Sequence, residues 1–235
     1  MSVPTLKSQL KAAGSPERAK TSAYLFKTGK GQYGYGDVFY GVSVPQQRKI
    51  AKQFRDLPLK EVERLLQSKV HEERLTASII LVDQYKKADE KIKTEIYNFY
   101  LANTKYINNW DIIDGSAEFI VGDYLQDKDK AVLVKLAKSK SLWERRIAIL
   151  STFAYIKQGE SAETLKIAGI LLHDPEDLIQ KAVGWMLREA GKRCSREEEE
   201  SFLQAHYKTM PRTMLRYAIE HFDEPRRQAY LKGTV

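Results

Sequence analysis

Residues 180–189 read Gln-Lys-Ala-Val-Gly-Trp-Met-Leu-Arg-Glu, and this stretch has the apolar spacing of an amphipathic helix. Val183, Met186 and Leu187 are separated by one to four residues, so they fall on one helix face. Strictly alternating apolar and polar runs, which are typical of β-strands, are absent from the sequence. Residues 59–174 contain no proline and can therefore form long helices. The sequence predicts an all-α fold.

Segments elsewhere in the chain can be aligned with this one, and the alignment indicates a repeat. The five segments begin at Arg74, Asp114, Arg146, Lys181 and Leu215, with spacings of 40, 32, 35 and 34 residues. Each period has room for two helices and two turns, and two-helix repeats of this length stack into solenoids. Small residues three positions into most segments, such as Gly184, would let helices pack closely. We predict a curved α-solenoid that forms a single domain over residues 1–235.

The charge of the chain is concentrated at its N-terminal end. Residues 1–60 contain 11 Lys and Arg against three Asp and Glu, so they carry the whole formal net charge of +8. A basic segment on a neutral body predicts a polyanionic partner, with nucleic acid first and a membrane surface second. An ordinary soluble surface with a chance excess of lysine is the alternative interpretation.

Composition excludes several classes of protein. With 43% hydrophobic and 30% charged residues, the chain has a globular composition and is not expected to be disordered. Its single cysteine, Cys194, rules out an internal disulfide framework and predicts a reducing, cytoplasmic location. No membrane span and no secretory signal are expected, because no window of about 18 apolar residues and no apolar leader occur. The histidines and Cys194 lack ligand spacing, so neither a metal nor a cofactor is expected.

A glycine-rich segment interrupts the helical pattern. Gly29, Gly31 and Gly34 match the pattern G-x-G-x-x-G, which binds dinucleotides when it follows a strand in a βαβ unit. No strand or βαβ unit is predicted here, so we interpret residues 29–41 as a loop rich in Gly and Tyr. A basic helix is expected to begin near Pro45.

Several residues at or near the aligned positions have side chains that could take part in catalysis or binding. Trp110 is four residues before Asp114, and Trp185 is four residues after Lys181, so each pair shares one helix face. If the aligned positions line one surface, that surface carries both tryptophans together with Asp114 and Arg146. A single tryptophan usually belongs to the core. Its placement together with an aspartate and an arginine favours a functional site.

Three motifs resemble those of the AlkD-like DNA alkylation repair proteins, which are HEAT-like-repeat DNA glycosylases. The motifs are Trp110-Asp-Ile-Ile-Asp114, Trp143-Glu-Arg-Arg146-Ile-Ala-Ile-Leu150 and residues 180–189, and the similarity runs from roughly residue 16 to 222. The resemblance implies HEAT-like two-helix repeats, with those that carry the site over about residues 70–222. It also implies a working site made of Asp114, Arg146, Trp110 and Trp185. The segment from Lys27 to Gly41 departs from the best-known member and looks like a longer, glycine-rich variant.

The resemblance implies a monofunctional glycosylase, a hydrolase of base excision repair that releases cationic N3- or N7-alkylated purines from double-stranded DNA. Such a base leaves as a neutral molecule, through a transition state that resembles an oxocarbenium ion. Asp114 would stabilise that charge and position or deprotonate water. The indoles of Trp110 and Trp185 would attract the cationic nucleotide, and Arg146 would hold a phosphate. The family implies no base flipping, and no strand cleavage is expected. We expect a monomer without metal or cofactor.

Further basic side chains are candidates for contacts with DNA phosphates. They are Lys27, Lys30, Arg48, Lys49, Lys52, Arg74, Arg145, Lys181, Arg188, Arg212 and Arg216. Each of them could equally be a solvated surface residue. The acidic run at residues 197–200 is interpreted as the exposed start of a helix away from DNA.

Two other functions stay open at this point. A non-catalytic HEAT-like-repeat protein could bind damaged or branched DNA, although the presence of Asp114, Arg146 and the two tryptophans argues against it. A HEAT-like scaffold that binds other proteins would explain the fold. It would explain neither the basic N-terminal end nor Asp114.

Overall fold

The computed structural model describes residues 2–235, and its secondary structure is helical. Two compact units make up the chain: the first ends at Ser116, and the second runs from Ala117 to Val235. Between residues 2 and 235 the only β-type pairing is a single parallel bridge that joins Val38 to Val70. No helix in that range combines the length and apolarity needed to cross a membrane.

The first unit is built from seven α-helices and a short 3-10 turn over Thr104–Tyr106. The α-helices are α1 (Val3–Ala12), α2 (Pro16–Leu25), α3 (Val44–Gln53), α4 (Leu59–Leu66), α5 (His71–Tyr85), α6 (Glu90–Ala102) and α7 (Trp110–Asp114). Helix α5 is the centre of this unit, because α1, α3, α4, α6 and α7 all pack against it. Helix α3 begins at Val44, close to the start predicted from Pro45.

The second unit begins with a π-helical turn over Glu118–Gly122 and continues through eight α-helices. These are α8 (Ala131–Ala137), α9 (Leu142–Ser151), α10 (Phe153–Ile156), α11 (Ala162–Ile170), α12 (Asp177–Arg193), α13 (Arg196–His206), α14 (Arg212–Ala218) and α15 (Glu224–Lys232). Helix α8 pairs with α9, and α11 and α13 both pack on α12. The prediction of an all-α fold of paired helices is therefore confirmed within each unit, and the single domain stays a prediction.

Helix starts follow the local sequence. Ser15 caps α2, because its Oγ accepts the backbone N–H of Arg18 at 3.4 Å while Pro16 occupies the first helical position. Asp89 caps α6 in the same way and accepts the N–H of Ile92 at 2.9 Å. These caps satisfy backbone donors that have no partner inside the helix, so each helix begins at a defined residue.

Helix α12 runs through the middle of the second unit, and Gly184 lets α14 approach it closely. A Cβ added to Gly184 would lie 2.6 Å from the Cβ of Tyr217 and would overlap the backbone oxygen of Met214. The backbone of α14 therefore occupies the space that a side chain would need. The prediction that a small residue allows close helix packing is confirmed at this position.

We expect Gly184→Ala to destabilise the second unit by about 1–3 kcal/mol, because the new methyl group has to push α14 away. Gly169→Ala is the matched control, since Gly169 also lies within a helix but has open space around its added Cβ. The control should be neutral or more stable, by up to about 1 kcal/mol, because alanine favours helix. Urea unfolding followed by circular dichroism measures both changes. Equal effects of the two substitutions would contradict the close approach.

The acidic run at residues 197–200 is not wholly exposed, and the prediction for it was wrong at Glu199. Glu199 is fully buried and packs against Gly191 of α12, where a Cβ would overlap its carboxylate. Arg196 donates a hydrogen bond to Glu199 Oε2 at 2.9 Å, while Oε1 is buried without a hydrogen-bond partner. Burial raises the pKa of Glu199 to about 8 despite the positive charge of Arg196. The carboxyl group is therefore mainly protonated at neutral pH.

Because the pKa of Glu199 is raised from 4.5 to about 8, the folded state loses stability as the pH rises between these two values. Glu199→Gln removes the ionisable group and keeps an acceptor for Arg196. We expect its Tm at pH 8 to exceed that of the wild type by roughly 10 °C, and the difference to shrink toward pH 4.5. Glu197→Gln is the control, because Glu197 is exposed and hydrogen bonds lower its pKa. Thermal unfolding at several pH values would show a pH-independent difference if Glu199 were ionised in the fold.

Candidate active site

The short helix α7 presents Trp110 and Asp114 on one side. Asn109 caps the helix, and its buried Oδ1 accepts the N–H of Trp110 at 2.8 Å. Ile112 and Ile113 are fully buried, whereas Trp110 and Asp114 are partly exposed. Since residues four apart share a helix face, the carboxylate and the indole lie on one face of α7. Their role in a joint site stays a prediction.

Two hydroxyl groups hold the C-terminal end of α7. Ser116 Oγ donates to the backbone oxygen of Ile112 at 2.6 Å, and Tyr100 Oη lies 2.8 Å from Ser116 Oγ. The serine has only one proton, so Tyr100 donates to Ser116. Burial raises the pKa of Tyr100, and the negative charge of Asp114 raises it further. Asp114 therefore lies close to a neutral, hydrogen-bonded tyrosine that is fixed in the core.

Trp110 belongs to a group of stacked rings. Its indole lies 5.1 Å from the ring of Phe26, at an interplanar angle of 15°. Phe26 in turn lies 4.6 Å from His71, and Phe39 contacts the same imidazole at 4.9 Å. These rings line an open, mainly apolar pocket of about 430 Å³ in the first unit. The rings fix the orientation of Trp110 from one side of that pocket.

His71 lies at the centre of this group, and the sequence did not identify it as a functional residue. The residue is 2% exposed, and its Nε2 lies 2.8 Å from Asp111 Oδ2. Its Nδ1 has no hydrogen-bond partner but lies 3.6 Å from Asp37 Oδ2. Asp37 also accepts a hydrogen bond from Arg74 at 2.7 Å. The position of Asp111 beside Trp110 was the one signal in the sequence that pointed toward this cluster.

Arg146 and Trp185 lie in the second unit. Arg146 is buried on α9, and its Nη1 donates to the backbone oxygen of Leu178 in the first turn of α12 at 2.6 Å. Trp185 is partly exposed, and its ring lies 5.9 Å from that of Phe153. Trp185 follows Leu178 by seven positions, which is roughly 10 Å along a helix. Arg146 thus joins α9 to the first turn of α12, and Trp185, about two turns further along α12, contacts Phe153 of α10. A joint site of all four residues stays a prediction.

The candidates for phosphate contacts differ in exposure. Seven of them are exposed: Lys27, Lys30, Arg48, Lys49, Lys52, Arg212 and Arg216. Arg48, Lys49 and Lys52 lie on α3 opposite its buried residues, and therefore form one basic face. The exposed group suits long-range attraction of a polyanion.

The other four candidates are bound within the protein. Arg74 is buried against Asp37, and Arg145 donates to Asp174 Oδ2 at 2.6 Å. Arg188 pairs with Glu189 and Glu220, and Lys181 lies 2.7 Å from Asp177. A phosphate would have to compete with these carboxylates for each of the four side chains. Their contacts with DNA stay predictions.

Comparison with known proteins identifies a family and a common fold. The sequence matches the model of the family described as DNA alkylation repair enzyme over residues 6–222. None of the curated proteins matches the chain significantly. Among solved structures, the chain is similar to one described as a predicted DNA alkylation repair enzyme from Enterococcus faecalis, with 18% sequence identity and a TM-score of 0.69. That similarity covers 90% of this chain and 97% of the other, and shows a common fold. Because the family model spans most of its sequence, the protein belongs to the DNA alkylation repair enzyme family.

Proposed function

We propose that the protein is a monofunctional DNA glycosylase that releases cationic N3- and N7-alkylated purines from duplex DNA. Membership of the family supports a repair enzyme that acts on alkylation damage. The observation that carries the finer proposal is α7, which carries a carboxylate and an indole on one partly exposed helix face. This pair suits a reaction in which positive charge develops on a sugar.

The chemistry needs little more than charge stabilisation and water. Alkylation at N3 or N7 makes the purine a cation, and the C1′–N bond breaks as the base departs with the bonding electrons as a neutral molecule. The sugar then resembles an oxocarbenium ion, which water attacks at C1′. Asp114 would stabilise the sugar cation and accept a proton from the water. The product is an abasic site with both strands intact, since no amine nucleophile takes part.

The two tryptophans and the arginine would position the nucleotide. An indole face near a cation contributes about 0.5–2 kcal/mol, and Trp110 is already oriented by its contact with Phe26. The hydrogen bond to Leu178 fixes the plane of the Arg146 guanidinium, which would keep its donors aligned for a phosphate oxygen. Trp185 would supply a second aromatic face. Positioning of this kind reduces the entropy that the reaction has to lose.

The proposed partner, oligomeric state and location of the protein follow from the same features. The partner would be double-stranded DNA that carries alkylated purines, attracted by the exposed basic residues of the first unit. The protein would act as a monomer without metal or cofactor and without flipping the base. The free thiol of Cys194 suits the reducing cytoplasm.

Asp114→Asn tests the proposed reaction directly. We expect the single-turnover release of 7-methylguanine and 3-methyladenine from methylated duplex DNA to fall about 10²–10³-fold, because the neutral amide cannot stabilise the sugar cation. Affinity for the same DNA should change little. Asp127→Asn is the matched control, since Asp127 is an exposed aspartate of the second unit.

Two outcomes would overturn this assignment. If the wild type in excess over DNA released no base above the spontaneous rate, the protein would not be a glycosylase. Tight binding of branched DNA in that case would favour the non-catalytic function. If Asp114→Asn released base at the wild-type rate, Asp114 would have no part in the chemistry.

The exposed basic residues of the first unit should determine the salt dependence of DNA binding. We expect replacement by glutamine of Lys27, Lys30, Arg48, Lys49 and Lys52 to weaken binding and to reduce the slope of log K against log salt by roughly 0.9 for each DNA phosphate that is no longer neutralised. The excision rate on fully bound DNA should stay largely unchanged. Fluorescence anisotropy between about 50 and 300 mM salt measures the slope.

A variant of the second unit with the same change in charge is the control. It replaces the exposed residues Lys138, Lys140, Lys192, Lys208 and Lys232. If both variants reduce the slope equally, the effect comes from net charge alone. The basic residues of the first unit would then have no special role.

A further inference from the structure

The cluster around His71 connects three parts of the first unit. His71 opens α5, Asp37 lies in the glycine-rich segment, and Asp111 is the second residue of α7. The imidazole bridges the two carboxylates, at 2.8 Å from Asp111 and 3.6 Å from Asp37. Since Asp111 follows Trp110 directly, this contact attaches the first turn of α7 to α5. The sequence separations of 34 and 40 residues make it a tertiary connection.

The charges in this cluster balance only when His71 is protonated. The carboxylates of Asp37 and Asp111 are 11% and 15% exposed, and Arg74, at 3% exposure, supplies one positive charge. A neutral imidazole would leave two largely buried carboxylates opposite one cation, which is costly. An imidazolium supplies the second cation and donates to Asp111 from Nε2.

The two other acidic groups in the first turn of α5 have their own partners, and Glu73 pairs with Lys7 at 2.7 Å. Glu72, on the same helix, accepts three backbone N–H groups from residues 40–42, at 2.7–3.2 Å. From α2 the ring of Phe26 faces the imidazole, and Arg18 lines the same pocket near solvent. Phe39 of the glycine-rich segment also contacts the imidazole, with ring centroids 4.9 Å apart. Asp37, Asp111 and Arg74 are therefore the charged groups that decide the protonation of His71.

The direction of the pKa shift agrees with this balance of charges. Burial by itself lowers the pKa of His71, but the carboxylates of Asp111 and Asp37 outweigh that effect and raise it above its ordinary value of 6.5. In return, the neighbouring His71 ring and the charge of Arg74 lower the pKa of Asp37 even though burial opposes this. The two shifts are reciprocal, as linkage requires.

The imidazole also reaches Trp110 through a ring contact. Phe26 lies between them, at 4.6 Å from His71 and 5.1 Å from the indole. A cationic imidazole next to the aromatic faces of Phe26 and Phe39 gains a favourable cation–π interaction. His71 thus acts on α7 by two routes, one through Asp111 and one through the stacked rings.

We propose that His71, held as an imidazolium between Asp37 and Asp111, is a positioning residue that fixes Trp110 and Asp114 for excision. This inference rests on the proposed glycosylase function. It assigns a role to the glycine-rich segment, which supplies Asp37 and Phe39. It requires no contact between His71 and DNA.

The proposal makes excision depend on pH in a defined direction. A histidine whose pKa is raised in the folded state stabilises that state fully below its unfolded value of 6.5, and the stabilisation is lost as the pH rises through the folded value. Above that point the cluster carries an unbalanced negative charge, and α7 loses its attachment. The excision rate should therefore fall on the alkaline side.

His71→Gln tests the role, with His173→Gln as the control, because His173 is exposed in the second unit. On methylated duplex DNA at neutral pH, we expect the single-turnover rate of His71→Gln to fall about tenfold or more, while the Kd for DNA changes less than about twofold. Between about pH 6 and 9 the wild type and the control should lose activity with one midpoint, and His71→Gln should show no such midpoint. Retention of the same alkaline loss in His71→Gln would overturn the proposal.

Nuclear magnetic resonance on the intact protein gives a readout that does not need activity. In the wild type, the imidazole of His71 and the indole Nε1–H of Trp110 should titrate with the same midpoint, and Asp111→Asn should shift that midpoint to lower pH. Asp111→Asn keeps the histidine and therefore still tests the positioning role if His71→Gln fails to fold. The positioning role would be contradicted if the indole signal of Trp110 did not change as His71 titrates. It would also be contradicted if the midpoint were the same in Asp111→Asn as in the wild type.

The two proposals fail in different ways. If the wild type releases no base at any pH, the proposed function is wrong, while the shared titration of His71 and Trp110 still tests the coupling. If base is released but the rate does not follow the titration of His71, the function stands and the positioning role is wrong.

Discussion

Burial of the charged first turn of α5 is the constraint on which the first unit depends. His71, Glu72, Glu73 and Arg74 are each no more than 3% exposed. Buried charges are tolerated only when partners replace the water that they have lost. In this unit the partners come largely from residues 37–42, which have to run across the start of α5 to reach them.

The glycine-rich segment follows this path because of its backbone. Gly41 has a φ of +79°, and its N–H donates to Glu72 Oε1 at 2.7 Å. A side chain at Gly41 would also overlap the backbone of Ser15 at the start of α2. The positive φ and the close approach both require glycine there. A segment whose sequence resembles a nucleotide-binding loop thus has a structural purpose, which is to bring backbone N–H groups and Asp37 to α5.

Much of the fold could be predicted from the sequence, because helical periodicity is a local property. The pairing of Trp110 with Asp114 and the small residue at Gly184 both follow from spacing along one helix. The contact between His71 and Asp111 could not be predicted in this way, since 40 residues separate the two side chains. The same limit explains Glu199, because exposure depends on the helix that packs against it. For the same reason, the sequence could not predict that Arg145 pairs with Asp174, 29 residues further along the chain.

Helix α7 has only five residues, and a helix of that length is not stable by itself. Its position has to come from tertiary contacts, which are Ile112 and Ile113 in the core, the Asn109 cap and the Asp111 carboxylate against His71. Because the leaving group of the proposed reaction is already activated, the main requirement is an accurately placed carboxylate. A small displacement of that carboxylate would lower the rate by a large factor. Support from a buried ion pair gives a short helix the rigidity that its own hydrogen bonds cannot give. The charged first turn of α5 is costly to bury. Through His71 and Asp111 it holds α7, and α7 carries Asp114, the predicted catalytic carboxylate.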